Sequence, residues 1–269
     1  MRYLVLTLMV LVSACADQSQ HELQNLLQDT AIAGGRDVAP NDALAKLVVR
    51  IKIQPKRFAL LRPYQICTGA FVSENVILTA AHCVKDPSME FKISYALESA
   101  KSAKHSVEKV VLHRDYIAPE KFVGRHDMAL IRIDGSKPKE MKILKWSQDH
   151  QPLILPKSLL AIGYGAYSNT GNPAGLGILR TAGVLIQEEK DTYLVANQKT
   201  SGICHGDSGG PLLDITGSEP LIVGVNHAYM NVVGEQPEDK CRRRGAYMKV
   251  SRYSDWIEEQ LAILNPKKN

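Results

Sequence analysis

The sequence predicts an all-β protein, a sandwich or barrel, and three features carry that expectation. Short β-like runs recur at close spacing, turn residues separate most of them, and neither a glycine-rich phosphate loop nor an alternation of strands with helices breaks the series. In chain order the expected strands span residues 47–53, 76–79, 91–95, 107–113, 128–134, 159–164, 177–187, 192–197, 221–226 and 246–250. The segment from Gly135 to Pro156, with Lys137-Pro138-Lys139 and Pro152, reads as a crossing between two halves. The C-terminus has another period. Tyr253, Trp256, Ile257, Leu261 and Leu264 recur at helical spacing and set one apolar face of a terminal helix, followed by a frayed tail at Pro266-Lys267-Lys268-Asn269.

At 269 residues the chain has length for one large or two modest domains, and 45% apolar content suffices for a core. A net charge of +5, scattered along the chain, is too modest to imply nucleic acid. Met1-Arg2 and the apolar run Tyr3–Val12 read as an export signal over residues 1–14, the run being too short to span a bilayer as a helix. Val12-Ser13-Ala14-Cys15 resembles a bacterial lipobox, in which Cys15 is lipidated and becomes the N-terminus; an ordinary signal cut near Ala14 or Ala16 is the alternative. The expected address is outside the bacterial cytoplasm, as a lipoprotein of the periplasm or outer membrane or as a secreted protein. With Cys15 set aside, four cysteines remain, an even number suited to disulfides, and they allow three connectivities.

Chemistry concentrates in three segments. Cys204-His205-Gly206-Asp207-Ser208-Gly209-Gly210-Pro211 encloses a serine in glycines, which expose its hydroxyl and let backbone N–H groups approach a substrate. A serine needs a base and an acid that orients the base. Thr79-Ala80-Ala81-His82-Cys83 supplies an imidazole among small residues, and Asp127 stands at the mouth of the apolar run Met128–Ile133. Gly206-Asp207-Ser208-Gly209-Gly210 also fits the elbow of α/β-hydrolases, but that elbow needs a helix after the serine, and Pro211 with Leu212-Leu213 reads as strand. The remaining histidines have no metal-ligand spacing, so neither a catalytic metal nor a cofactor is expected.

In their order His, Asp, Ser, these segments resemble the catalytic signatures of chymotrypsin-like (trypsin-fold) serine proteases, a resemblance that runs from about Ile32 to Leu264. The resemblance implies two six-stranded antiparallel β-barrels with a C-terminal α-helix. The protease domain would span 32–265, its barrels about 32–140 and 153–250 and its helix about 252–264, with the site in the cleft. It implies a serine endopeptidase working on protein or peptide substrates, with His82 as general base, Asp127 holding its tautomer and Ser208 as nucleophile. The N–H groups of Gly206 and Ser208 would form the oxyanion hole. It also selects the disulfides Cys67–Cys83 and Cys204–Cys241. Ile32-Ala33-Gly34-Gly35 looks like the start of an activated protease, whose freed Ile32 amine would pair with Asp207, making 15–31 a pro-segment. Thr30-Ala31 before that cut, in place of Arg or Lys, points to an activating protease that favours small residues.

Specificity departs from the pattern. Gly202, at the expected pocket base, lacks the Asp of trypsin-like members, and His227-Ala228-Tyr229 replaces the family's Ser-Trp-Gly edge. The expected pocket residues are Gly202, His205, His227, Tyr229 and Gly245. His205, His227 and Arg242-Arg243-Arg244 either favour an acidic residue before the scissile bond or form a solvated basic loop. The altered edge also suits a non-catalytic binding protein on a protease scaffold, although His82, Asp127 and Ser208 are all retained. The chain is expected to be a monomer, held to a membrane only through a lipidated Cys15.

Overall fold

A computed structural model describes residues 33, 35–57, 64–118, 125–230 and 238–265. Ile32, Cys15, the signal and the whole pro-segment therefore lie outside the described residues. The first strand in the chain, β1 (Arg36–Asp37), is short. It is followed by β2 (Val49–Pro55), β3 (Gln65–Phe71), β4 (Val76–Thr79), β5 (Met89–Ser94), β6 (Val107–Leu112) and β7 (Ala129–Ile133). Strands β2 to β7 form one antiparallel sheet in the order β5-β2-β3-β4-β7-β6, and a one-turn helix, α1 (Ala81–Val84), follows β4. In β2 burial alternates along Val49-Arg50-Ile51-Lys52-Ile53, with the aliphatic residues inside, as a strand with one covered face requires.

The second half contains β8 (Lys145–Trp146), β9 (Lys157–Gly163), β10 (Ser168–Asn169), β11 (Pro173–Ala174), β12 (Arg180–Glu189), β13 (Tyr193–Asn197), β14 (Pro211–Asp214), β15 (Leu221–Met230) and β16 (Arg244–Lys249). Six of these close into a ring, β9-β12-β13-β16-β15-β14 and back to β9. The fold is the expected all-β architecture of two barrel bodies and a terminal helix. The first body is a six-stranded half-barrel, because its edge strands β5 and β6 are not paired with each other among the described residues.

Two details show how the two bodies are joined. Arg36 and Asp37 pair with Thr181 and Arg180 of β12, so the N-terminal strand joins the second barrel and not the first. The crossing is also ordered, with β8 parallel to β15 and Leu144 N–H donating to the Phe71 carbonyl of the first sheet. A single apolar cluster runs through both bodies, from Leu78 and Leu130 through Leu160, Ile162 and Val225 to Ile257 and Leu264. The last two belong to α2 (Ser254–Leu264), whose Trp256 and Leu261 pack half-buried on the same cluster. Arg132 reaches the free carbonyl of Leu264 and ties off the helix end. Both disulfides join the expected partners: Cys67 of β3 to Cys83 of α1, and Cys204 to Cys241.

Candidate active site

Strand β4 ends at Thr79, and the next turn forms α1 because Ala80 and Ala81 are small enough to be fully buried there. That turn aims His82 at Asp127. The backbone N–H of His82 donates to Asp127 Oδ1 at 2.8 Å, and its Nδ1 lies 2.6 Å from Oδ2. Asp127 sits just before β7, fully buried, after His126 has turned the chain through a left-handed φ of 53°. Burial alone would push its carboxyl up. Hydrogen bonds from His227 and His82 outweigh burial and hold it far below the ordinary carboxylate range.

A second imidazole shares this carboxylate. His227 of β15 is buried, and its Nδ1 is in short hydrogen-bond contact with Asp127 Oδ2. The rings of His82 and His227 meet edge to face with centroids 5.9 Å apart. An ionised carboxylate only accepts, so both rings present Nδ1–H to it. The expectation that His227 lines the pocket mouth is thereby corrected: Asp127 draws the side chain into the interior. Ligand atoms of His82, Asp127 and His227 lie within 4.8 Å of one another, a set that could in principle hold a metal ion. The 2.6 Å contact between His82 and Asp127 is tighter than the roughly 3.4 Å between two ligands of one tetrahedral zinc ion with bonds of about 2.1 Å. The trio fits a hydrogen-bonded relay better than a metal centre.

Ser208 approaches from the second barrel. Thr68, fully buried on β3, holds its loop. Thr68 N–H donates to the Ser208 carbonyl at 2.8 Å, its hydroxyl donates to the Gly206 carbonyl at 2.9 Å, and the same oxygen accepts from Tyr164 N–H at 3.0 Å. Gly209, at φ 82°, docks so closely that a Cβ there would stand 2.0 Å from Thr79 Oγ1 and 2.8 Å from Ala80 N. Ser208 Oγ donates at 3.4 Å to the His227 carbonyl rather than to His82. Gly206, at φ 99°, and Ser208 keep their N–H groups without a protein acceptor among the described residues, whereas Asp207, Gly209 and Gly210 donate to backbone carbonyls.

Asp207 is a second buried carboxylate in a different setting. It accepts 2.8 Å hydrogen bonds from the N–H groups of Gly165 and Cys204, and no cationic group contacts it among the described residues. Burial pushes its carboxyl up to about 7. Ala33 is paired in both directions with Gly202, at 2.9 and 3.1 Å, so the chain just after Ile32 is bound beside this loop.

The other expected pocket residues divide. Gly202 and Gly245 are buried and face the same side chain, Gln198 at the end of β13: a Cβ on Gly202 would lie 2.2 Å from Gln198 Cδ, and one on Gly245 2.0 Å from its Oε1. His205 and Tyr229 pack edge to face at 5.4 Å, with Asn169 against the His205 ring. The basic run is spread over different partners: Arg242 donates to the Ala33 and Thr200 carbonyls, Arg243 lies over the pocket residue Tyr229, and Arg244 pairs with Glu188.

Residues 32–257, most of the chain, match the family described as Trypsin. The chain belongs to the trypsin family. Kallikrein 1-related peptidase b1 of Mus musculus is 26% identical over 268 residues, an alignment covering 85% of this chain and 94% of the relative. Together they support serine protease chemistry in this member of the trypsin family. Against the family pattern, Thr68 and Gln198 are the residues that reading the sequence missed. Thr68 lies in a strand with little alternation, Gln65–Phe71, buried on both faces because the Ser208 loop covers one of them. Gln198 stands among polar residues at a strand end, where Lys199-Thr200-Ser201 suggests a surface turn.

Proposed function

We propose that the chain is a serine endopeptidase whose acyl-enzyme forms on Ser208. The observation that carries this reading is the fully buried, ionised Asp127 bound to both the backbone and Nδ1 of His82. That contact leaves His82 Nε2 as a base directed away from the carboxylate. A rotation about the Ser208 side chain, away from the weak contact to the His227 carbonyl, delivers Oγ–H to this base. Oγ then attacks the substrate carbonyl carbon, the proton passes to His82, and the C–O bond forms as the carbonyl becomes an oxyanion. The N–H groups of Gly206 and Ser208 receive the oxyanion, each contributing about 3–4 kcal/mol in comparable sites. His82 returns the proton to the leaving amine as the C–N bond breaks, and water repeats the sequence to release the acid. His227 donates to the same Asp127 oxygen, Oδ2, as His82 and so helps to hold the carboxylate.

Activation by a cut before Ile32 belongs to the same proposal. Asp207 is buried and makes no ion pair among the described residues, with Arg180 acting on it only at a distance, and Ala33 is fixed next to its loop. An amine freed at Ile32 would supply the missing charge and order Gly206 and Ser208. Neutral Gly202 argues against trypsin-like preference for Lys or Arg. Export, with lipidation at Cys15, completes the proposal on the strength of the N-terminal sequence. A fluorophosphonate probe tests the chemistry: after activation the wild type labels at Ser208 and Ser208→Ala does not. Labelling that persists in the variant, or none in processed wild type, overturns the reading. Edman sequencing of labelled material should begin at Ile32; a start at Cys15 or Ala16 in fully active protein would refute activation by this cut.

A further inference from the structure

Between the two glycines expected to line the primary pocket stands the fully buried side chain of Gln198. Its amide is completely committed. Nε2 donates to the carbonyls of Ile203 and Cys241, both at 3.1 Å, while Oε1 accepts from Ile203 N–H at 2.9 Å and the Tyr247 hydroxyl at 3.1 Å. Two donors and two acceptor sites are the full capacity of a carboxamide. Gln198 therefore binds together the segments on either side of the Cys204–Cys241 bridge and has no hydrogen bond left for a substrate. A pocket open between Gly202 and Gly245 would expose both glycines, and both are buried.

We infer that Gln198 is the specificity-determining residue of this enzyme, closing the primary pocket from below so that only a small uncharged side chain, alanine foremost, fits on the acyl side of the scissile bond. The inference rests on the peptidase reading above and names its substrate class. It also makes the acidic-residue hypothesis unnecessary, because the floor is a saturated amide with no positive charge. The chain contains a bond of the favoured class at its own activation site, Ala31–Ile32, so a second processed copy is a competent activator.

The test uses processed wild type whose active fraction is first counted by fluorophosphonate labelling. Peptide amides that differ only at the residue before the cut (Ala, Leu, Phe, Glu, Arg) should show kcat/KM for Ala at least about 10-fold above the others, since one or two methylenes in a closed pocket discriminate by roughly 10–200-fold. Gln198→Ala, which vacates the floor, should raise the Leu-to-Ala and Phe-to-Ala ratios by about 10-fold. The wild-type profile decides the matter even where that variant folds poorly. Full-length Ser208→Ala offered as substrate should be cut between Ala31 and Ile32. Equal wild-type turnover of Phe, Glu and Ala peptides by labelled enzyme overturns the role of Gln198 and leaves the peptidase reading intact. Failure of labelling and of all turnover overturns that reading and this inference with it.

Discussion

Two buried carboxylates, Asp127 and Asp207, flank Ser208 and are held in opposite protonation regimes. Asp127 receives a backbone N–H and two imidazole N–H groups, and these donors keep it ionised in spite of burial. Asp207 receives only two backbone N–H groups, so burial prevails and its carboxyl rises to about 7. Neighbours, and not depth, set the difference. A permanently ionised carboxylate suits a relay that must hold one tautomer and stabilise an imidazolium. A buried carboxylate held only by backbone N–H groups among the described residues is free to take up a cation, as the proposed activation requires.

The largest effect should come from Asp127→Asn. The carboxamide donates where the carboxylate accepted, which turns His82 to the tautomer with Nε2–H and removes the base, so kcat should fall by about 10⁴-fold with the fold retained. Kinetics together with a circular dichroism spectrum would check both halves; a loss below tenfold would mean that the tautomer is fixed by something else.

Asp207 gives the next effect, and its sign is opposite to that of a paired carboxylate. Its folded-state pKa is raised, so the stability it contributes is fully present below about 3.8 and is lost as pH rises through about 7. In the uncut chain, kept uncut by Ser208→Ala, unfolding free energy should fall between pH 4 and 7 relative to Asp207→Asn by on the order of 4 kcal/mol. After the cut before Ile32 this fall should disappear. Denaturant titrations at several pH values on both forms would read it, and parallel pH curves for the uncut pair would contradict it.

Thr68→Val removes the hydroxyl by which β3 of the first body holds Gly206 and Tyr164 of the second, leaving a buried carbonyl and N–H unpaired, and should cost about 2–3 kcal/mol in chemical unfolding. His227→Ala is smallest: one of three donors to Asp127 is lost, so kcat should drop by about 10–100-fold with KM nearly unchanged. A rise in KM with constant kcat would return His227 to the pocket mouth.

The legible part of this site is its local part. His82 and Ser208 each stand in a short segment whose small or glycine neighbours announce an exposed or closely packed group, Asp127 stands at the mouth of an apolar run, and the strand series follows from local runs and turns. The features that needed coordinates are long-range. Nothing near His227 in sequence tells that its ring turns inward to a carboxylate 100 residues away. Likewise, Gln198 meets Cys241 only because β13 and β16 are neighbours in the closed barrel. The half-closed first barrel and the N-terminal strand's attachment to β12 depend on pairing, which periodicity does not encode.

Rapid acid quench of processed enzyme mixed with an activated alanine ester, followed by mass spectrometry of its peptides, tests the relay most directly. The account predicts one acyl group, carried by the peptide containing Ser208, absent when His82 is replaced by Ala and released with time in wild type. An acyl group on another residue, or ester turnover unchanged in the absence of His82, would contradict it.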